Sequence, residues 1–175
     1  AILELLEEIV SYDDIIAIAL SGIASQRISD TTGYNASTIQ SLLVKHKEKD
    51  FFPYKVILLD EASMVNSVTF AQIISKISDD TIFIIVGDDG QLPAIGAGNI
   101  LADSIKYELA PICKLTKIYR QNENQAIAVI ANDIRKGELP NYKEEYEDFK
   151  FVDVSIGNYY SMKNSLTQNE FSDMR

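Results

Sequence analysis

The chain has 175 residues, 46% of them apolar, and a formal net charge of −10. That length fits one domain with room for part of a second, and the apolar content excludes a disordered chain. The acidic balance excludes a surface that attracts nucleic acid everywhere, although residues 45–49 and 114–120 are locally basic. No apolar run approaches the roughly eighteen residues that a membrane helix needs, and no basic-then-apolar signal segment opens the chain. The lone cysteine, Cys113, excludes an internal disulfide. It reads as a small core residue in a reducing compartment, and the expected location is the cytoplasm. The single histidine, His46, lies in the charged run Lys45-His46-Lys47-Glu48-Lys49 and is expected in solvent. With one His and one Cys, a zinc site would need several carboxylates.

Ile2, Leu5, Leu6, Ile9 and Val10 recur at helical spacing and predict an opening amphipathic helix. Asp14 to Leu20 reads as a buried strand, Ser21-Gly22 turns it, and Ile23 to Ser29 begins the next helix. Thr31 to Asn35 is turn chemistry, after which Ser37 or Thr38 caps a short helix over Ile39–Val44. Phe52-Pro53 breaks the chain before a strand at Lys55–Leu59. A helix over residues 67–77, a strand at Thr81–Val86 and a helix at Asn99–Leu109 follow. Ile112–Leu115 reads as a short strand, and Ile127, Ile130, Ala131 and Ile134 mark a helix ending at Gly137. Phe149–Val154 is a last candidate strand, after the acidic run Lys143–Asp148. Alternating strand and helix predicts an α/β fold, a parallel sheet with helices on both faces.

Two segments carry the chemistry. Val56 to Leu59 closes on Asp60-Glu61, and Ile82 to Val86 closes on Gly87-Asp88. Strands covered on both faces read as unbroken Val/Ile/Leu, and their carboxyl ends open on the ligand crevice. Two carboxylates there divide the work: one holds Mg²⁺ through water, the other orients or deprotonates an attacking water. Gln91, in the loop that follows, suits a terminal phosphate oxygen and that water. Arg120, after the expected strand at Leu115, offers a planar fork to phosphate.

In order, Asp60-Glu61-Ala62-Ser63-Met64-Val65, Val86-Gly87-Asp88 with Gln91-Leu92-Pro93, Gly96 and Gly98, and Leu115-Thr116 with Tyr119-Arg120-Gln121 resemble the RecD-type superfamily 1 DNA helicases. These are also known as the alpha subunit of exonuclease V. Ala19 to Ser25 resembles their first DNA-contacting motif and Thr38 to Leu43 the helix after it. The chain departs from the family's usual Pro, basic or small residue, and His at Leu20, Ile23 and Gln40. The resemblance spans residues 1–142, expected as part of a first RecA-like motor domain. Residues 143–175 are expected to be an acidic then polar tail, the start of a linker or of a truncated second motor domain.

The resemblance implies a RecA-like P-loop NTPase fold and an ATP-dependent helicase acting in recombination and repair with 5′-to-3′ polarity. ATP and Mg²⁺ are the implied cofactors. Single-stranded DNA, duplex junctions and other subunits of a nuclease-helicase complex are the implied partners, with no membrane. It implies Asp60 as the Mg²⁺ residue through water, Glu61 as the base, Gln91 as the γ-phosphate sensor and Arg120 as the stabiliser of transferring charge. Ser21, Gly22 and Thr38 would line the single-strand path. No Gly-Lys-Ser or Gly-Lys-Thr occurs in the 175 residues, so the phosphate-cradling loop is expected outside them. The expectation is a motor-domain piece, inactive alone. The alternatives are another P-loop ATPase, PhoH-like or AAA-type, and an inert docking module.

Overall fold

The computed structural model describes residues 2–115 and 126–139. Residues 1–114 form one compact unit, and the rest of the chain forms a second. The first unit is built on a four-stranded parallel sheet: β1 (Ile15–Ala19), β2 (Ala36–Thr38), β3 (Val56–Leu59) and β4 (Ile82–Ile85), in the order β2-β1-β3-β4. The helices are α1 (Ile2–Leu6), α2 (Gly22–Thr32), α3 (Ile39–Lys45), α4 (Ser67–Ile74) and α5 (Ile100–Lys106). The second unit contributes α6 (Ala126–Lys136), where Ile130 is buried and Gly137 takes the left-handed conformation after the last turn. Among the described residues no helix is long and apolar enough to cross a membrane.

The runs Ile15-Ile16-Ala17-Ile18-Ala19 and Val56-Ile57-Leu58-Leu59 are buried along their whole length. Alternate residues feed two separate cores, as the two-residue period of a strand requires. Ile16, Ile18, Ile57 and Leu59 pack with Ile39 and Leu42 of α3 and Ile73 of α4. Ile15, Ala17, Val56 and Leu58 pack with Leu3 and, from α2, Ile28. Helices therefore cover both faces, as expected from the sequence.

β2 is one element the sequence reading passed over. Ala36-Ser37-Thr38 is short and polar, yet Ala17, Ile18 and Ala19 pair with it in register. The opening helix is also shorter than expected. Leu3 is the helix residue that turns to the core, Leu5 lies on the exposed face, and Ile9, beyond the helix end at Leu6, is exposed as well. Three further expectations fail. Residues 112–115 form no strand: Leu115 is 90% exposed, so an apolar run without a partner edge stays irregular. Cys113 is exposed on that same stretch rather than in a core.

His46 is buried, not solvated. It ends α3 and presents its ring to the rings of Phe52 and Tyr54, while its lysine neighbours reach outward. The carbonyls of His46 and Lys47 accept hydrogen bonds from the Lys76 ammonium at 3.0 and 3.2 Å, and Lys49's carbonyl accepts a third. One cation thus gathers three carbonyls of the turn that follows α3, of which that of His46 also accepts the Lys49 N–H at 3.1 Å.

Neither ring nitrogen of His46 has a hydrogen-bond partner. Burial first, then the charges of Lys49, Lys45 and Lys76, lower its pKa below the ordinary 6.5. The folded chain therefore takes up this proton less readily than the unfolded one. The resulting stability is complete above about pH 6.5 and is lost progressively as pH falls below it. Urea midpoints of the 175-residue chain should drop between pH 7.5 and 5.5, and His46→Phe, which fits the same aromatic niche, should shrink that drop. An unchanged pH slope in His46→Phe would rule this account out.

Candidate nucleotide and DNA-contact site

The strand registers align the carboxyl ends of the sheet. Ile18 pairs with Leu59, Leu59 with Ile85, and Ala19 with Thr38. The chain leaves β1 toward β2 and leaves β3 toward β4, in opposite directions. The β1/β3 junction is thus the switch point outside which open α/β sheets bind ligands.

At the end of β3, Asp60 donates its N–H to the Ile18 carbonyl at 2.9 Å. Its carboxylate accepts the Glu61 N–H, also at 2.9 Å. Glu61 sits at φ 52, ψ 40, a left-handed conformation that stands on the order of 1 kcal/mol or more above the alternatives for a residue with a side chain. The next three residues form a 3-10 turn, Ala62–Met64, with Ala62 and Ser63 buried. That turn is tied to β4 because the Ala62 N–H donates to the Val86 carbonyl at 3.0 Å.

Gly87 makes this approach feasible. A β-carbon there would lie 2.8 Å from Leu101 Cδ2 and 3.2 Å from the backbone nitrogens of Ala62 and Ser63. Beyond it, the Asp88 carboxylate accepts the Gly90 N–H at 3.0 Å, and its carbonyl accepts the Gln91 N–H at 3.2 Å. This turn sets Gln91 out in solvent. Gln91 is thus linked to Asp60 and Glu61 through backbone, by way of Asp88, Val86 and Ala62.

On the neighbouring strand ends, Ser21 accepts the Ala24 N–H and caps α2, and Thr38 accepts the Ser41 N–H and caps α3. Gly22 needs its lack of a side chain neither for φ nor for packing, since nothing lies within 4 Å of its would-be β-carbon. Its backbone is open to a ligand. Asp60, Glu61, Gln91, Ser21, Gly22 and Thr38 therefore share one edge, in two groups on adjacent strand ends. Arg120 lies outside the described residues.

Sequence reading passed over Asn66 and Ser67. The Asn66 carboxamide caps α4 by accepting the Thr69 N–H at 2.9 Å and donates to the Ile95 carbonyl at 3.2 Å. The Ser67 N–H and hydroxyl both donate to the Ala97 carbonyl, at 2.9 and 2.8 Å. The capping pattern was legible; the partners thirty residues away were not.

Among the described residues no group of three or more His, Cys, Asp or Glu could hold a metal. The single partly exposed Asp60 carboxylate suits Mg²⁺, which keeps most of its waters and takes one or two protein carboxylates.

A family described as AAA domain matches residues 1–155. The chain belongs to it. Among curated proteins, this AAA domain is 30% identical over 133 residues to the ATP-dependent RecD2 DNA helicase of Deinococcus radiodurans, covering 73% of the chain and 18% of that helicase. It is 30% identical over 117 residues to the RecBCD enzyme subunit RecD of Mycolicibacterium smegmatis, covering 61% and 21%. The relatives are thus of the RecD type whose motifs the sequence carries, and the chain spans about a fifth of their length. Among solved structures, the AAA domain superposes on a Bacteroides Pif1 helicase in complex with ADP-AlF3 and ssDNA with a TM-score of 0.54 at 20% identity, over 93% of the chain and 49% of that one. That likeness shows the fold, a RecA-like parallel sheet flanked by helices.

Gly87→Ala tests the close approach. At a position without positive φ, Gly to Ala usually stabilises by about 0.4–1 kcal/mol. Here the added β-carbon should instead destabilise by about 1–3 kcal/mol, measured by chemical denaturation. A neutral or stabilising result would mean that β4 and the 3-10 turn are not packed as described.

Proposed function

We propose that the chain is part of an ATP-dependent DNA helicase that couples Mg²⁺-ATP hydrolysis to translocation on single-stranded DNA and duplex unwinding. The observation that carries this reading is the shared carboxyl edge. It holds the Asp60-Glu61 turn, the Gln91 loop and the two helix caps, Ser21 and Thr38, on strands paired in register. The 30% identity to a protein named an ATP-dependent DNA helicase supports it.

In this reading Asp60 holds Mg²⁺ through water, and the ion when bound neutralises charge on the phosphates. Glu61 projects beyond the strand and accepts the proton of the attacking water. Its left-handed backbone aims the side chain out of the strand line, a strained conformation of the sort found where a site is set in advance. Gln91 hydrogen-bonds the terminal phosphate oxygen and reports its presence. Arg120, by the resemblance of its segment, stabilises charge on the transferring group. The loop that cradles the phosphates is assigned to the rest of the protein. Ser21, Gly22 and Thr38 grip the DNA backbone through hydroxyls and amides, which read no sequence.

Polarity from 5′ to 3′, a role in recombination and repair, a cytoplasmic location and assembly with other nuclease subunits belong to the same proposal. The naming of one relative as a RecBCD subunit supports the last. The 175-residue chain assayed alone should show no ATPase activity stimulated by single-stranded DNA, and robust turnover would refute this division of labour.

In the full-length protein, Glu61→Gln should lower kcat by about 100-fold or more, with nucleotide affinity nearly intact, because it removes a base and keeps its shape. Gln91→Ala should hold nucleotide affinity within about threefold and remove most DNA-stimulated hydrolysis and unwinding. If Glu61→Gln keeps kcat within about twofold, Glu61 is a structural acid.

A further inference from the structure

The loop that carries Gln91 is fastened at both ends, and the second fastening has more contacts than a helix cap requires. Capping α4 uses only the oxygen of the Asn66 carboxamide, on the Thr69 N–H. The Asn66 nitrogen is aimed instead at the Ile95 carbonyl, and Ser67 brings two donors to the Ala97 carbonyl. The alternation in Ile95-Gly96-Ala97-Gly98 matches this arrangement: a gripped carbonyl, then a glycine, twice. Both glycines take left-handed backbone, φ 116 and 89. A β-carbon on Gly96 would stand 3.2 Å from the Asn66 side-chain nitrogen, and one on Gly98 would stand 2.9 Å from Ser67 Cβ. The Ala97 carbonyl also meets the Ser67 N–H, one of the first-turn amides of α4 without an intrahelical partner, at the positive end of the helix dipole.

Between the Asp88 turn and this clamp, the middle of the loop is exposed, with Leu92 at 84%. On the other side of the clamp, only four residues lie between Glu61 and Asn66, and three of them, Ala62, Ser63 and Val65, are buried. A displacement of the loop therefore has a short, packed route to the Glu61 turn.

We propose that Asn66 and Ser67 are positioning residues for the Gln91 loop, holding its exit to α4 so that phosphate contact at Gln91 is passed to the Glu61 turn and the body of the domain. This rests on the phosphate-sensing role of Gln91 proposed above. Coupling of this kind needs an element with two arrangements that both ends bias, and the clamp is the connection that joins the loop to the Glu61 turn.

Asn66→Asp separates clamping from capping. It keeps an oxygen for the Thr69 N–H, and Asp is as good a cap as Asn. It turns the donor facing the Ile95 carbonyl into an acceptor. In the full-length protein, Asn66→Asp combined with Ser67→Ala should lower DNA-stimulated kcat about tenfold, with nucleotide Kd within about threefold and the melting temperature nearly unchanged. Gly96→Ala, which strains the clamp from the loop side, should likewise lower DNA-stimulated kcat with nucleotide Kd held. It should also lower the melting temperature, because Ala is strained at φ 116, so the stability criterion applies to Asn66→Asp/Ser67→Ala alone. Gly96→Ala added to Asn66→Asp should cost little more than either alone, as expected for residues acting as one unit. Gln91→Ala is measured alongside. If Gln91→Ala loses stimulation while Asn66→Asp/Ser67→Ala behaves like wild type, the clamp proposal is overturned and the sensor stands. If affinity and kcat fall together with the melting temperature, the clamp is only structural and the proposal is overturned. If Gln91→Ala itself behaves like wild type, the sensor role fails and takes the clamp proposal with it.

Discussion

The candidate site depends on how closely the end of β4 approaches the turn after β3. Leu101 and the amides of Ala62 and Ser63 leave no space for a side chain at position 87. The hydrogen bond from Ala62 to Val86 closes the gap. A larger residue at 87 would move the Asp88 turn, and with it Gln91, away from Asp60 and Glu61. Close packing of a core transmits such a shift rather than absorbing it. The sheet therefore does more than carry the acidic residues: the spacing between two strand ends sets how far Gln91, the proposed sensor, stands from the two carboxylates.

Glu61 adds a second constraint. A residue with a side chain seldom holds a left-handed backbone unless its surroundings fix it. The surroundings here are explicit. Asp60 takes the Glu61 N–H, the Met64 N–H donates to the Glu61 carbonyl at 3.1 Å, and the buried 3-10 turn follows at once. The same short segment ends a strand, holds a proposed base away from the strand line, and leads into the Asn66-Ser67 clamp.

How far the sequence was legible follows from what each feature depends on. β1 and β3 were readable because strands buried on two faces must be apolar throughout, and β4 because its run, though only partly buried, lends residues to both cores. Asp60-Glu61 and Gly87-Asp88 were readable because both close such runs. The cap at Thr38 was readable because capping is local chemistry. β2 was not, since three polar-to-small residues become a strand only when β1 offers an edge. His46 was misread because its lysine neighbours set the local composition, whereas its own direction is set by Phe52 and Tyr54. The 112–115 segment was misread for the converse reason: its composition suits a strand, and among the described residues no strand pairs with it. The Asn66-Ser67 contacts join residues about thirty apart, a pairing no local pattern encodes.

The charge of the chain bears on how DNA would be held. A body at −10 repels a polyanion at long range, so binding through a broad basic face is unfavourable. The proposed contacts are of another kind. Ser21 and Thr38 cap helices on adjacent strand ends, and Gly22 leaves backbone uncovered between them. Hydroxyls and amide N–H groups hold a phosphate by short-range hydrogen bonds and release few counterions, whereas lysines bind with a steep dependence on salt. Such a grip is weak at each contact and blind to sequence. A protein that moves along a strand needs both properties, because each step breaks and remakes equivalent contacts. An acidic composition is thus compatible with the proposed DNA contacts, which depend on hydroxyls and backbone amides rather than on a basic face.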